Sequence, residues 1–374
     1  MTKAITKYGR LWPVDFRSLL RYGTPRKFAN ALRTEWAFRR HKSDIDVVPY
    51  ILIVEPLYYC NLRCPLCARE TIPHARREKA EAGKLPLDLF DQVLEEIGKY
   101  LFQVQIFGNG EPLLDWPRTQ QIVARAHRRR IFTLMSTNCT LVSEKIAEEL
   151  VASDLDYVIC AIDGITQKSY EAYRVGGSVD DALGGLCRLV EQRTRQRRKL
   201  FIEWQFLINR FNSGEIDEVR RMVADLGVYL RLTPIGGVEA NPELRRYWSA
   251  DVAREALGDQ TACSGTDCTY LWRIMTLNSN GQLARCNYFG NVAQLGAAQG
   301  ESVVKMYNGA STRRARQLFS RAPVEAGDFP WPCSNCGVFQ RRHGGPVQDI
   351  AGEATAARNR NVSLTLLNPA ATLK

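Results

Sequence analysis

Short apolar runs alternate with longer amphipathic segments through the middle of the chain. Near-continuous apolar runs of this kind are typical of parallel strands that are buried on both faces. They occupy residues 50–57, 104–107, 132–136, 157–162, 200–207 and 229–232. The segments between them carry apolar residues at spacings of three and four, which predicts amphipathic helices. We expect these helices over residues 86–101, 117–129, 143–152, 179–196 and 214–226.

The alternation of strands and helices predicts an α/β fold with a parallel sheet. Six β-α units are two short of the eight that close a full barrel, so we expect a partial (β/α)6 TIM-type barrel. The alternation stops near residue 241, where an irregular, cysteine-bearing stretch begins. The expected parts are a basic helical segment over 1–48, the barrel over 49–240, a small cysteine-rich domain over 241–342 and a tail over 343–374.

Composition narrows the class of protein. Hydrophobic residues make up 45% of the 374 positions and charged residues 24%, as in ordinary globular proteins. No apolar run approaches the roughly 20 residues that span a bilayer, and no secretory signal pattern opens the chain, so we expect a cytoplasmic protein without a membrane span. The formal net charge is +11. The arginine runs accompany no nucleic-acid module, so we interpret them as solvated helix faces and expect no nucleic-acid partner.

Eleven cysteines are unusual for a chain expected to stay in a reducing compartment. Cys60, Cys64 and Cys67 directly follow the first predicted strand, where ligands bind in α/β folds. A structural zinc site requires four ligands. Three thiolates in one short loop instead suit three irons of a [4Fe–4S] cluster, which leaves the fourth iron open for an external ligand.

This arrangement resembles the radical SAM superfamily, whose signature is Cys-x3-Cys-x2-Cys after the first strand of a partial (β/α)6 barrel. The resemblance implies that the open iron binds the amino and carboxylate groups of S-adenosylmethionine (SAM). It also implies that reduction, by a donor such as flavodoxin or ferredoxin, cleaves SAM to a 5′-deoxyadenosyl radical that abstracts hydrogen from carbon. Leu66 stands where the family often has an aromatic residue.

Residues 108–112 read Gly-Asn-Gly-Glu-Pro after the second predicted strand and resemble the GGEP element of the family. As an isolated string, Gly-Glu-Pro is also a plain turn. In this position we expect Gly108 and Gly110 to let the backbone approach SAM, and Glu111 to accept a hydrogen bond from its ammonium group.

Three further barrel elements resemble SAM-binding segments. Residues 136–139 are similar to the family's Thr-Asn-Gly element, with Cys139 in the glycine position. The resemblance implies that Ser136 and Asn138 contact the ribose or carboxylate of SAM, although a helix cap is the simpler interpretation. Asp163 ends the fourth strand, where an Asx turn is an equal alternative. Arg174 is expected to pair with the SAM carboxylate.

A second cysteine set resembles the opening of a SPASM or Twitch domain. Cys268 is followed by twelve residues, Gly281, four residues and Cys286, and residues 271–281 predict a hairpin that brings these thiols together. The resemblance implies that Cys333 and Cys336 complete the ligands of one auxiliary [4Fe–4S] cluster. No cysteine follows Cys336, which favours the shorter Twitch version. A four-cysteine zinc site is the alternative.

Two positions bear on the reaction. Asn287 stands where related sulfatase-maturing enzymes have an aspartate proposed as a base, and an amide does not take a proton. Cys263 has three open interpretations: a hydrogen donor to a substrate radical, an alternative cluster ligand, or a buried structural residue. Cys139 is the second candidate donor.

The pattern is similar to 2-deoxy-scyllo-inosamine dehydrogenase and radical SAM epimerases. We therefore expect oxidation (dehydrogenation) or epimerisation of a sugar, aminocyclitol or related small-molecule natural-product intermediate. Peptide maturation is the alternative, disfavoured here because the region before Tyr50 is too short for an added peptide-recognition domain. A non-catalytic iron–sulfur or zinc protein is a more distant possibility.

Overall fold

A nine-stranded sheet organises the described part of the protein. The computed structural model describes residues 21–71, 83–235, 246–247, 267–287, 294–320, 333, 336, 338–339 and 342. The strands are β1 Ile51–Val54, β2 Gln103–Ile106, β3 Phe132–Thr137, β4 Tyr157–Ala161, β5 Phe201–Ile208, β6 Tyr229–Pro234, β7 Ile274–Leu277, β8 Gln282–Ala284 and β9 Gln294–Ala297. Their order in the sheet is β6-β5-β4-β3-β2-β1-β7-β8-β9.

Helices follow the strands in the alternation that the sequence predicts. They are α1 Pro25–Arg39, α2 Ala68–Thr71, α3 Leu87–Ile97, α4 Trp116–Arg128, α5 Glu144–Ala152, α6 Gln167–Glu171, α7 Val179–Arg195, α8 Ile216–Leu226, α9 Tyr270–Arg273, α10 Val303–Tyr307 and α11 Ala310–Gln317. Strands β1 to β6 pair with their neighbours in parallel. The predicted α/β class with six β-α units is therefore confirmed.

Local sequence signals explain where the helices begin. Ser143 caps α5 by accepting a hydrogen bond from the backbone N–H of Ile146, and Ser178 caps α7 in the same way. The apolar face of each helix packs on the sheet; in α3 this face includes Phe90, Val93 and Ile97, all fully buried. Each large apolar side chain buried in this layer contributes roughly 1.5–3 kcal/mol to folding.

The sheet continues past the predicted end of the barrel. Strand β7 pairs in parallel with β1, from Ile51 opposite Ile274 to Val54 opposite Leu277, and β8 and β9 then pair antiparallel. The predicted hairpin is present, with a turn in which the N–H of Gly281 donates to the carbonyl of Asn278 at 2.9 Å. The pairing of β7 places this turn beside the carboxyl end of β1.

The predicted strand start at residue 271 is wrong, because residues 270–273 form helix α9. Leu271 and Trp272 are drawn into an apolar cluster there, and the indole Nε1 of Trp272 donates to the carbonyl of Lys42 at 2.9 Å. Packing against a distant segment therefore determines the local conformation of a stretch whose own pattern favours a strand.

Helix α1 lies across the amino ends of the strands, away from the three-cysteine loop. The amide of Asn30 exchanges two hydrogen bonds with the backbone of Val48, just before β1. At the other end of the helix, Glu35 forms a bidentate ion pair with Arg273 of α9 at 2.7 and 2.6 Å. Helix α1 thus contacts both the segment that leads into β1 and helix α9, which lies close to the second cysteine set in the sequence. Among the described helices, none has the length and apolar character needed to cross a membrane.

Candidate functional site

The three-cysteine loop begins where β1 ends and closes on itself by short hydrogen bonds. The backbone N–H of Cys67 donates to the carbonyl of Cys64 at 3.0 Å, and the N–H of Leu62 donates to Sγ of Cys60 at 3.4 Å. Cys64 lies close enough to Cys60 for its thiolate to raise the pKa of Cys60, and Cys67 raises the pKa of Cys64 in the same way. The structure thus brings together the three thiols predicted for the first cluster.

The chemistry of these thiols fits a metal centre. Burial raises the pKa of Cys60 to about 11 and raises the pKa values of Cys64 and Cys67 above the ordinary range. Thiols in such surroundings are protonated and weakly reactive when no metal is bound. A bound metal reverses this preference because coordination deprotonates the thiol. Three buried thiols at the end of a strand are therefore suitable ligands for the predicted [4Fe–4S] cluster.

A buried ion pair between Arg174 and Asp163 lies next to Cys64 of the loop. Nε of Arg174 donates to Oδ2 of Asp163 at 2.6 Å, and Nη1 of Arg174 lies 3.8 Å from Sγ of Cys64. The other carboxylate oxygen of Asp163 accepts the N–H of Leu207 at 2.7 Å. Arg174 lowers the pKa of Cys64, opposing the larger effect of burial. Asp163 therefore holds the Arg174 guanidinium in place, and its positive charge stabilises the thiolate form of Cys64.

The 108–112 loop packs directly against the segment that leads into Cys60. A methyl group added to Gly110 would lie 2.1 Å from the carbonyl oxygen of Leu57, and one added to Gly108 would lie 2.5 Å from Oε2 of Glu55. The N–H of Glu111 also donates to the carbonyl of Tyr59 at 2.7 Å. Both glycines are thus required by contacts within the protein, whereas the sequence assigned them to the approach of SAM.

The Glu111 carboxylate joins the loops after β2 and β3. It is buried and accepts hydrogen bonds from Thr137 Oγ1 at 2.8 Å, from the N–H of Asn138 at 2.8 Å and from the N–H of Leu113 at 3.1 Å. Burial raises its pKa, and these hydrogen bonds oppose that shift. The contacts given by the structure are with the β3 loop, and the role of Glu111 at the SAM ammonium stays a prediction.

Asn138 connects the β3 loop to the cysteine loop. Its Nδ2 donates to Oδ1 of Asn61 at 2.9 Å, and Asn61 in turn donates to Thr140 Oγ1 at 2.8 Å. Asn138 also accepts the N–H of Thr140 in a local turn. Ser136 is half-buried near the end of β3. The predicted contacts of Ser136 and Asn138 with SAM stay predictions, while the link between the two loops is a finding.

Cys139 has a backbone conformation that favours glycine. Its φ is 65°, in the left-handed region, which agrees with its place in the glycine position of the family's element. The side chain is fully buried in the main core, and its thiol interacts with that of Cys160. Because the thiol is enclosed in the core, its surroundings do not favour the predicted role as a hydrogen donor.

The second cysteine set also converges. Burial raises the pKa of Cys268, and the neighbouring thiols of Cys286, Cys333 and Cys336 raise it further, so Cys268 lies near each of the other three. Arg285 hydrogen-bonds Cys333 and lowers its pKa against the effect of burial. Four neighbouring thiols agree with the predicted auxiliary cluster in their chemistry, and their role as its ligands stays a prediction.

The surroundings of this second set are apolar. One cluster of buried side chains includes Leu271, Trp272, Phe319 and Phe339 with Cys333, and Cys268 and Cys336 pack against it. Ala37 of α1 belongs to the same cluster. Three of the four cysteines therefore belong to or pack against a small core built from segments distant in sequence.

Some predictions on ligands are left without a structural test. Cys263 lies outside the described residues, and Asn287 directly follows Cys286 as expected. In the part of the chain that the structure describes, no three His, Cys, Asp or Glu side chains are arranged so that they could hold one metal ion, so the assignment of both cysteine sets as ligands stays a prediction.

Sequence reasoning missed two residues that organise the site, Glu55 and Asn61. Asn61 lies between two of the cysteine ligands, where its only signal is its position in the loop. Glu55 carried a clearer signal, because a charged residue follows four apolar positions at the end of a buried strand. A carboxylate in such a place requires hydrogen-bonding partners.

Comparisons with known proteins agree with this geometry. Residues 54–202 match the family model described as the radical SAM superfamily. The chain is 30% identical to pre-heme d1 synthase of Dinoroseobacter shibae over 173 residues, which cover 45% of this chain and 39% of that protein. It is 27% identical to mycofactocin maturase MftC of Mycobacterium tuberculosis over 186 residues, which cover 50% of this chain and 44% of that protein. The chain thus spans less than half the length of these relatives.

Among solved structures, SuiB of Streptococcus suis is similar, with a TM-score of 0.56 and 16% identity, covering 85% of this chain and 77% of SuiB. SuiB bound to its precursor peptide SuiA gives a TM-score of 0.52. At this level of identity the likeness shows the fold alone.

Proposed function

This chain contains a domain of the radical SAM superfamily, and from that premise we propose that it is an enzyme that abstracts hydrogen from a carbon of a peptide substrate. The observation that carries the proposal is the convergence of Cys60, Cys64 and Cys67 at the end of β1. Reductive cleavage of SAM by a [4Fe–4S] cluster requires one open iron, and three thiols in one loop would provide the other three ligands.

The cofactor prediction, a [4Fe–4S] cluster with SAM, is confirmed at the level of the family. When bound, the two together supply the one-electron cleavage of SAM to a hydrogen-abstracting 5′-deoxyadenosyl radical. The three loop cysteines would hold the cluster, and Arg174, fixed by Asp163, favours the thiolate of Cys64. An external one-electron donor protein, such as a flavodoxin or ferredoxin, would supply the reducing electron.

Cys268, Cys286, Cys333 and Cys336 would hold one auxiliary cluster, in agreement with the SPASM-type relatives. We propose that such a cluster, when bound, would supply an acceptor for the electron that a substrate radical loses together with a proton, which would make the net reaction an oxidation. The apolar cluster that contains Trp272, Phe319 and Phe339 includes Cys333 and packs against Cys268 and Cys336. Epimerisation instead requires a thiol that returns hydrogen, for which Cys263 and Cys139 are the two candidates.

The comparisons change the preferred substrate class. The sequence favours a sugar or aminocyclitol, but one relative is named a maturase and SuiB binds a precursor peptide. Neither name supports a carbohydrate substrate. We therefore propose a peptide or a peptide-derived cofactor precursor, the class that the sequence left as the alternative. The small amino-terminal region does not exclude such a substrate, because the large radical SAM barrel itself offers a binding surface.

Anaerobic reconstitution with iron and sulfide tests the proposal. We expect about eight irons per chain and SAM-dependent formation of 5′-deoxyadenosine after reduction. Cys64→Ala serves as the matched control that keeps the fold but loses the first cluster. Zinc in place of iron, with no cleavage of SAM, would refute the enzyme and support a zinc-binding protein.

The same preparation distinguishes the substrate classes and the outcome at carbon. The reconstituted enzyme is incubated in heavy water either with peptides encoded beside its gene or with small sugars. The masses of the products are then measured by mass spectrometry. Loss of two hydrogens from a peptide supports the proposed oxidation. One added deuterium without oxidation indicates epimerisation, and turnover of a sugar alone contradicts the peptide proposal.

A further inference from the structure

Glu55 is a buried carboxylate that neither cluster uses as a ligand. It follows β1 directly, and only 3% of its surface is exposed. Oε2 accepts hydrogen bonds from the backbone N–H and from Nδ2 of Asn109, at 2.8 and 3.0 Å. Oε1 accepts hydrogen bonds from Oγ and the backbone N–H of Ser279, at 2.7 and 3.4 Å. All four donors are neutral, so hydrogen bonds rather than an ion pair hold the carboxylate in place.

The two partners of Glu55 belong to the two halves of the catalytic apparatus. Asn109 lies in the 108–112 loop, which also contacts the carbonyl of Tyr59, one residue before Cys60. Ser279 lies in the turn between β7 and β8, and β8 leads to Cys286. One side chain therefore joins the loop expected to bind SAM to the hairpin that carries auxiliary ligands.

The packing leaves little freedom in this connection. A methyl group on Gly108 would overlap the Glu55 side chain, with its Cβ 2.5 Å from Oε2 and 2.8 Å from the Cβ of Glu55. On the other side, β1 and β7 are neighbours in register, so the turn that holds Ser279 is fixed relative to Glu55. A displacement of the turn is therefore transmitted through the carboxylate to the 108–112 loop.

We propose that Glu55 is a positioning residue that couples the β7–β8 turn to the 108–112 loop, so that the affinity for SAM depends on the auxiliary hairpin. The part of this inference that concerns SAM rests on the proposed function, whereas the coupling between the two loops does not. The carboxylate suits the role because it accepts hydrogen bonds from both sides at once. Glutamine presents one accepting oxygen and one donating nitrogen, so it satisfies one side and opposes the other.

Ser279→Ala is the sharpest variant, because it leaves every residue of the SAM loop unchanged. It removes one short hydrogen bond to Glu55, and we expect the dissociation constant for SAM to rise by about threefold to tenfold. The constant is measured by equilibrium dialysis on the reconstituted, unreduced enzyme. Ser279→Thr retains the hydroxyl and is expected to restore the affinity to within about twofold.

Thr276→Val is the matched control. Thr276 lies in the same hairpin, is as deeply buried as Ser279, and its hydroxyl makes no hydrogen bond within the described residues. Removing that hydroxyl tests the general effect of changing the hairpin without changing Glu55. Equal loss of affinity in Thr276→Val and Ser279→Ala would overturn the proposal, because it would assign the effect to hairpin stability.

Amide hydrogen exchange supplies a measurement that requires neither SAM nor turnover. In the full-length protein as purified, Ser279→Ala should accelerate exchange at residues 108–111, while Ser279→Thr and Thr276→Val should not. Unchanged exchange at these amides in Ser279→Ala would overturn the coupling, even if the variant lost auxiliary iron. If the wild-type enzyme failed to bind SAM, the proposed function would fail, and the exchange experiment would still decide the coupling.

Discussion

The two thiol sites of this protein are built in opposite ways. Cys60, Cys64 and Cys67 lie in one loop and are surrounded by hydrogen-bonded turns from neighbouring strands, such as those held by Glu111 and Asn138. The second set, Cys268, Cys286, Cys333 and Cys336, comes from a long stretch of chain. Cys333 lies in an apolar cluster that also includes residues of α1, and Cys268 and Cys336 pack against it. The first site is a local motif on a barrel, whereas the second is assembled from distant segments.

This difference indicates how far each site depends on metal. The loops around the first set are connected by hydrogen bonds to one another and adjoin the large core of the barrel. The second set lies in a cluster of few side chains, and a small core gains much of its stability from bound metal. We therefore expect the first site to determine the chemistry and the second to determine the folding of its own region.

The largest expected effect is on the chemistry of the first site. Changing all three loop cysteines to alanine should abolish formation of 5′-deoxyadenosine, because the open iron is lost. The variant should retain about four irons per chain, held by the second set. Iron analysis and chromatography of the reaction products check both results. Retained SAM cleavage would contradict the assignment, and iron near zero would contradict the independence of the two sites.

The next largest expected effect is on folding, and we expect it to be larger at the second site than at the first. Cys268→Ala should lower the soluble yield and the midpoint of thermal unfolding more than Cys64→Ala, because metal at the second site stabilises the surrounding segments. Hydrogen exchange should rise around residues 268–287 and 310–319 in Cys268→Ala. In Cys64→Ala the same segments should stay protected. Equal destabilisation by the two substitutions would remove the proposed contrast.

A third effect tests whether the hydrogen-bonded surroundings of the first site are necessary for its stability. Asp163→Asn leaves the buried Arg174 without its carboxylate partner, and breaking a buried ion pair in this way costs about 3 kcal/mol. The free energy of unfolding, measured with urea, should fall by that amount, and SAM cleavage should fall with it. Asp217→Asn is the control, since Asp217 forms an exposed pair with Arg220 on α8. Such surface pairs contribute little to stability.

Local chemistry explains what the sequence revealed. The six barrel strands and the helices between them follow from apolar periodicity and from caps such as Ser143 and Ser178, which involve only near neighbours. The first cysteine set is equally local. The family and the cofactors were therefore predictable, whereas the four ligands of the second cysteine set stay a prediction that rests on the spacing in the resemblance.

Interactions between distant residues explain what the sequence did not reveal. Glu55 is 54 positions from Asn109 and 224 from Ser279, so the pattern around it identifies a charged residue but not its partners. The pairing of β7 with β1 depends in the same way on a contact across most of the chain. The preference for a sugar substrate had a weaker basis, because it was inferred from the length of a segment rather than from a binding surface.

The smallest expected effect concerns Cys139, where the first site meets the core. A residue other than glycine at φ 65° is strained by about 1 kcal/mol, since its Cβ approaches the neighbouring carbonyl oxygen. Comparing Cys139→Gly with Cys139→Ala isolates this strain, because both remove the thiol and differ by one methyl group. We expect the glycine variant to be the more stable in urea unfolding by about 1 kcal/mol, and both to cleave SAM. A more stable alanine variant would show that packing of the Cβ against the core outweighs the backbone preference. Loss of deuterium incorporation in both variants would assign to Cys139 the hydrogen transfer that its buried position does not favour.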